Sequence, residues 1–210
     1  AGMSTPQMPC FDVLIIGSGP AGLSAALSCV QRKLSYVVVE KDAFVASTIA
    51  RYPKGKKVMA EPYDVRCVGL LPVWDATKEQ AITEWNRILS EVELNLKMKE
   101  VVEDVKRDQA SFIVKSDKGT YRAQRVMVAI GTRGKPRRLN VPGEDSDYVQ
   151  PLLDDPDKYS GRTILVVGGG DSAVEAAIAL SSPELRNKVL LSYRGKGFNR
   201  VKAKNRQDLD

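Results

Sequence analysis

The sequence predicts an α/β protein built on two parallel βαβ units, and three observations carry that prediction. Apolar runs ending in glycine clusters occur twice, at Val13-Leu-Ile-Ile-Gly17 and at Ile164-Leu-Val-Val-Gly168. Each cluster opens a stretch with helical spacing, Pro20–Gln31 and Asp171–Leu180. Each of these returns to a second apolar run, Tyr36–Glu40 and Lys188–Tyr193. Strand, glycine turn, helix and parallel strand together make the unit that holds a dinucleotide on its turn.

The elements follow in order. Asp12–Ile16 is near-continuously apolar, as expected of a parallel strand buried on both faces. Small Ala21, Ala25 and Ala26 let the following helix approach the sheet. Lys41–Trp74 shows no clear period, and Arg51-Tyr-Pro-Lys-Gly-Lys-Lys57 reads as a basic turn. A helix is predicted from Lys78 to Ser90: Thr77 with Gln80 forms a capping box, and Ile82, Trp85, Ile88 and Leu89 share a face. Glu100–Lys106, Ser111–Lys115 and Thr120–Ile130 read as strands of an antiparallel meander. Gly131–Ser146, rich in Gly, Pro and Arg, is a connector, which divides the chain into domains 1–146 and 147–210. One βαβ of roughly fifty residues buries too little apolar surface to stand alone. The second domain is therefore expected to be incomplete in this chain.

Composition narrows the chemistry. With 43% hydrophobic and 28% charged residues the chain is ordinary for a soluble globular protein. It contains no histidine, which removes histidine metal sites, triads and the commonest general acid. Cys10, Cys29 and Cys67 form no Cys-x-x-Cys, which argues against a disulfide scaffold and against any metal site of zinc type. Cys29 reads as a small core residue. Cys67 has Arg66 beside it, but a bland buried thiol remains the better reading. Neither a signal peptide nor a membrane span is legible, so a reduced, cytoplasmic protein is expected. The basic residues Arg194, Lys196, Arg200, Lys202, Lys204 and Arg206 lack interleaved aromatics. That favours a phosphorylated cofactor over nucleic acid or a membrane. Lys202, Lys204 and Arg206 read as solvated.

The two glycine loops carry the site. In the first, Gly17 permits the turn, Gly19 lets backbone approach a pyrophosphate, and Gly22 lets helix and strand pack closely. Ser18, Pro20 and Ala21 complete the loop, and first-turn amides with the helix dipole attract the phosphates. Glu40, ending the next strand, suits a ribose hydroxyl. In the second loop, Gly168, Gly169 and Gly170 lead into Asp171 and Ser172, with Ala173 at the third glycine position. Ser172 can reach a phosphate, while Asp171 serves equally well as a helix cap or a ligand contact. Here the following strand ends in Tyr193-Arg194, and an arginine suits a ribose 2′-phosphate. Lys196 and Arg200 can add charge. Opposite charges after the two strands imply two different dinucleotides.

With the connector added, the chain resembles the thioredoxin-reductase-like branch of the FAD- and NADPH-dependent pyridine nucleotide-disulfide oxidoreductases. Four segments carry the resemblance: Val13–Leu23, Val126-Met-Val-Ala129-Ile-Gly131-Thr132, Val141-Pro-Gly-Glu144 and Ile164–Ala173. It implies a Rossmann-like FAD-binding domain with a parallel sheet and an antiparallel β-meander. The first βαβ of a second Rossmann-like, NADPH-binding domain follows. FAD would sit on the first loop, with Glu40 at the adenosine ribose, Lys41 beside it and backbone near Val102 at the adenine. Ala129, Gly131 and Thr132 match the family's stretch passing close to FAD. Arg194 and Arg200 match its 2′-phosphate cluster. The sequence departs from the family in having no Cys-x-x-Cys, and the C-terminal Gly-Asp segment that completes the family's flavin domain is not among these residues.

The function expected is an NADPH-oxidising flavoprotein reductase, or its nucleotide-binding portion. It would pass electrons to a small-molecule disulfide, a protein disulfide or another acceptor, and the pattern allows a homodimer. No catalytic side chain is assigned, because the cofactors carry the chemistry. A flavin-dependent monooxygenase and a non-catalytic dinucleotide-binding module are the alternatives.

Overall fold

The computed structural model of the chain describes residues 9–58, 71–132, 137–198 and 201–207. The chain divides into two compact units, Ala1–Pro136 and Arg137–Asp210.

In the first unit, β1 (Cys10–Ile16) leads into α1 (Pro20–Gln31) and then β2 (Tyr36–Val39). A short α2 (Ser47–Ala50), the paired β3 (Lys57–Val58) and β4 (Ala76–Thr77), and α3 (Lys78–Ser90) follow. The unit closes with β5 (Leu96–Lys97), β6 (Val102–Asp108), β7 (Ser111–Ser116) and β8 (Thr120–Val128). Six strands form one sheet in the order β5-β2-β1-β8-β7-β6. β5, β2, β1 and β8 run parallel, whereas β8, β7 and β6 run antiparallel. The long β8 belongs to both parts: Ala123 is registered with Phe11 on one side and Phe112 on the other.

Only Met98–Val101 separate β5 from β6, which lie at opposite ends of that order. Five residue steps reach at most about 18 Å, and six strands laid flat would span about 24 Å. The sheet must therefore fold back on itself. Its apolar pattern agrees: Leu14, Val37 and Val39 of the parallel part cluster with Val114 of β7 and Ala123 of β8. On the opposite face Ile15 and Val38 pack against Ala26 and Cys29 of α1. Alternate residues of β1 thus face the meander and the helix, which explains why the strand is apolar throughout. Of the three alanines expected against the sheet, Ala26 is buried, Ala25 is half-buried and Ala21 is exposed.

A further apolar layer joins Leu23 and Leu27 of α1 to Ile49, Leu71, Ala81 and Trp85. The Thr77–Gln80 capping box is complete, with both reciprocal bonds made. Within the region left unassigned by periodicity the structure adds α2 and β3. β5, two residues long, extends the parallel sheet beyond β2. A strand that short carries no periodic signal.

The second unit contains β9 (Thr163–Val167), α4 (Asp171–Leu180), β10 (Lys188–Ser192) and α5 (Ala203–Gln207). β9 and β10 pair in parallel. Val174, Ala177 and Leu180 of α4 are buried, while Leu165, Val167 and Leu190 on the strands are exposed. Asn187 ties the unit together: its side-chain amide donates to the Tyr159 and Leu180 carbonyls and its oxygen accepts from Arg162 N–H.

Candidate functional site

The first loop leaves the end of β1 through Gly17, whose φ is +100°. A Cβ there would lie 2.6 Å from the Ala129 carbonyl oxygen, so conformation and space both require glycine. A Cβ on Gly22 would lie 1.9 Å from the Gly17 carbonyl oxygen: the first turn of α1 is seated on the loop itself. Gly19 is different. Its φ of −69° and ψ of −179° are open to any residue, and an added Cβ would meet nothing among the described residues within 4 Å. Neither the conformation nor the packing of the described residues asks for glycine there. Gly19 is also the N-cap of α1, and no side chain among the described residues caps that helix. The orphan amides of its first turn are therefore left to a ligand or to solvent.

Glu40 follows β2 and is only 6% exposed. Its Oε2 accepts from the Ser18 N–H at 2.6 Å and the Ser18 hydroxyl at 2.8 Å. Its Oε1 accepts from the Asp42 N–H at 2.8 Å. A carboxylate offers about four lone-pair sites; among the described residues three are engaged, and the fourth, on Oε1, remains. The acid thus pins the glycine loop to the end of β2, a role that spacing alone does not reveal. Ser18 is fully buried and turned toward Glu40. Asp42 is itself engaged by Arg51 and Ser47, which hold its carboxyl below the usual range.

The other residues implied by the resemblance are placed by backbone bonds. Lys41 is exposed beside Glu40. The Glu100 N–H donates to the Glu40 carbonyl at 2.8 Å. Val102, two residues on, is half-buried against the cluster that contains Val39. The Ala129 N–H donates to the Ile16 carbonyl at 2.8 Å, which holds Ala129 against Gly17. Gly131, with φ of +66°, and Thr132 follow it on the surface.

The second loop repeats the geometry. The Gly168 N–H donates to the Ser192 carbonyl at 2.9 Å, just as Gly17 donates to Val39 at 2.8 Å. That equivalence sets Tyr193 at the position of Glu40, and Arg194 at that of Lys41. Gly168 has φ of +149°, and its Cβ would lie 2.9 Å from the Ala173 Cβ. A Cβ on Gly169 would meet the Tyr193 ring at 2.2 Å, and one on Gly195 would meet it at 2.4 Å. Phe198 stacks on the same ring, with centroids 5.5 Å apart. Gly170, like Gly19, is an extended N-cap with φ of −104°, and among the described residues no side chain caps the helix and its Cβ would meet nothing within 4 Å.

Arg194 is exposed and makes no ion pair among the described residues; Ser172 is exposed as well. Asp171 does not cap its own helix. Its Oδ1 instead accepts from the Lys202 N–H at 2.8 Å and from Asn205 Nδ2 at 2.9 Å. Arg206, expected to be solvated, is exposed yet engaged: its guanidinium donates to the Phe198 carbonyl at 3.0 Å and the Val201 carbonyl at 3.4 Å. Arg200 and Cys67 lie outside the described residues. Asn205, which carried no sequence signal, is buried.

Residues 14–209 match the pyridine nucleotide-disulphide oxidoreductase family. The chain belongs to that family. A ferredoxin–NADP reductase from Ignicoccus hospitalis is 30% identical over 175 residues, 81% of this chain and 52% of that protein. The chain spans about half the length of the curated relatives it matches. A bacillithiol disulfide reductase from Bacillus cereus superimposes with a TM-score of 0.78 at 27% identity, over 96% of this chain and 64% of the other. Thioredoxin reductase from Lactococcus lactis shares the fold with a TM-score of 0.71 at 20% identity, covering 94% of this chain and 60% of that one. The α/β, Rossmann-like architecture of this oxidoreductase family is thus the one described above.

Cys29 of α1 is buried among apolar side chains, and that burial pushes its thiol up. Cys10 is exposed at the start of β1. Among the described residues no group of three His, Cys, Asp or Glu could hold a metal ion. None of their helices is long and apolar enough to cross a membrane.

Proposed function

We propose that the chain is the dinucleotide-binding portion of an FAD-dependent, NADPH-oxidising reductase. The observation that carries this reading is the pair Gly19 and Gly170. Each caps a helix after a parallel strand, has a backbone conformation that any residue adopts, and faces space that a Cβ would only begin to fill. A bound diphosphate is what makes glycine necessary at both places. The residues present fit the two groups.

On the first loop, the Gly19–Gly22 backbone would receive the FAD diphosphate, and the remaining Oε1 site of Glu40 would accept from a ribose hydroxyl. Lys41, the backbone near Val102, and the Ala129–Thr132 stretch would border the rest of the cofactor. On the second loop, Gly170 and Ser172 would face the NADPH diphosphate. A neutral Tyr193 in place of the acid, followed by an exposed Arg194, would admit the 2′-phosphate and pair with it. When bound, the two cofactors supply the redox chemistry, carrying electrons from NADPH by way of flavin to an acceptor. The protein's own contribution is to bind and orient them. The acceptor is read as a disulfide, small or protein-borne, in keeping with the disulfide reductases that share the fold, and the setting as cytoplasmic.

Titration of the chain with FAD, followed by anaerobic NADPH, tests this. Uptake of flavin with its bound-state absorbance, then bleaching by NADPH, is expected. Arg194→Ala should weaken NADPH about tenfold and leave NADH within roughly twofold. Binding of both cofactors without bleaching would instead favour a non-catalytic module, and no binding of either would end the proposal.

A further inference from the structure

A buried side-chain amide helps to hold the segment after β10 to α4. Asn205 is 8% exposed, and its Nδ2 donates to Asp171 Oδ1 at 2.9 Å and to Glu175 Oε1 at 3.0 Å. The two carboxylates sit four residues apart on one helix face, where they would repel. One primary amide has two N–H donors, enough to serve both without adding a charge. The Lys202 N–H adds a second bond to Asp171. Val201, 4% exposed, is buried beside them.

From this anchor a chain of contacts runs back to the glycine loop. Arg206, adjacent to Asn205, holds the carbonyls of Phe198 and Val201. Phe198 stacks on Tyr193, and the Tyr193 ring lies against Gly169 and Gly195. Arg194 lies between Tyr193 and Gly195, so its backbone is fixed at both neighbours while its guanidinium stays exposed. The circuit begins at Asp171, the first residue of α4, and ends at Gly169, two residues earlier in the same loop.

We propose that Asn205 is a positioning residue for recognition of the 2′-phosphate. By bridging Asp171 and Glu175 it locks the segment that carries Arg194 against the Gly168–Gly170 loop. It sets where a dianionic phosphate can be met, without touching it. This rests on the reading of the second loop as the NADPH site. A guanidinium held in place forfeits less freedom on pairing than one on a loose loop, so loss of the anchor falls on the phosphate-bearing ligand.

The test compares 2′,5′-ADP with 5′-AMP by calorimetry on the wild-type chain, Asn205→Ala and Arg206→Ala. Asn205→Ala should weaken 2′,5′-ADP about tenfold and 5′-AMP less than roughly twofold, with a shallower salt dependence for 2′,5′-ADP. Arg206→Ala frees the Phe198 and Val201 carbonyls but leaves the α4 carboxylates bridged, and should show the same selective loss. Circular dichroism and melting on each variant establish that it is folded. If Asn205→Ala fails to fold, Arg206→Ala alone decides. Equal losses for both ligands, or no loss for either in a folded variant, would overturn the positioning role. A wild-type chain that does not distinguish 2′,5′-ADP from 5′-AMP would instead overturn the NADPH reading on which it rests.

Discussion

Gly19→Ala and Gly22→Ala differ by three positions in one loop and should fail in opposite ways. At Gly19 the added methyl meets nothing among the described residues within 4 Å. Replacing glycine by alanine at a compatible φ/ψ stabilises by about 0.4–1 kcal/mol through the unfolded chain. Alanine is a poorer N-cap than glycine by about 0.5–1 kcal/mol. The two offset, so stability should change by no more than about 0.5 kcal/mol. FAD affinity should nevertheless fall by at least about a hundredfold, or about 2.7 kcal/mol, because the methyl occupies the approach of the diphosphate. At Gly22 the methyl would lie 1.9 Å from the Gly17 carbonyl oxygen, about 1 Å inside the closest approach real Cβ atoms make. Two backbone segments would have to part, at a cost of about 3 kcal/mol or more. Melting should drop by roughly 6–12 °C, at roughly 2–4 °C per kcal/mol. Thermal denaturation of the cofactor-free proteins and a flavin fluorescence titration separate the two effects. The reasoning is refuted if Gly19→Ala binds FAD like the wild type, or melts as low as Gly22→Ala.

Three further outcomes are expected. Removing the Glu40 carboxylate with Glu40→Ala leaves the Ser18 and Asp42 N–H groups without their acceptor, and urea denaturation should show a loss of about 1–3 kcal/mol even without cofactor. Trp85, 1% exposed, donates from its indole N–H to the Pro72 carbonyl at 2.7 Å. Trp85→Phe should therefore cost about 2–4 kcal/mol and leave the emission of the exposed Trp74 as the only tryptophan signal, shifted to the red. The Tyr121 phenol is pushed up to about 12, by burial first and then by its hydrogen bond to the Glu100 carboxylate and that charge. Since the folded value exceeds the ordinary 10.0, this group stabilises the fold fully below that pH and ceases to as pH rises toward about 12. Burial also pushes the Tyr36 phenol up, so absorbance near the phenolate band should show late-titrating tyrosine of which Glu100→Gln brings one component down; an unmoved titration would refute the pairing.

Much of the fold was legible because its signals are local. The two apolar runs, the glycine turns and the Thr77–Gln80 capping box each lie within a dozen residues, and their periods decide strand or helix without reference to the rest of the chain. What escaped is non-local or too short to repeat. β5 is two residues paired to β2 across more than fifty positions, and the folding-back of the sheet follows from the brevity of Met98–Val101. The same holds at the candidate site. Spacing located Glu40 and the Tyr193-Arg194 pair, but the Ser18 clamp on Glu40 and the Asn205 bridge join residues distant in sequence through ordinary polar types.

Taken alone, the order of residues determined that this protein has two glycine turns between parallel strands, with an acid following one and a base the other. That much is written in short-range sterics and charge. Only the tertiary structure decided which glycines the protein needs for itself and which it holds open: Gly17 is confined by Ala129, over a hundred residues away, while Gly19 confronts none of the described residues. Steric demand depends on what the folded chain brings near, and a linear pattern does not contain that distance.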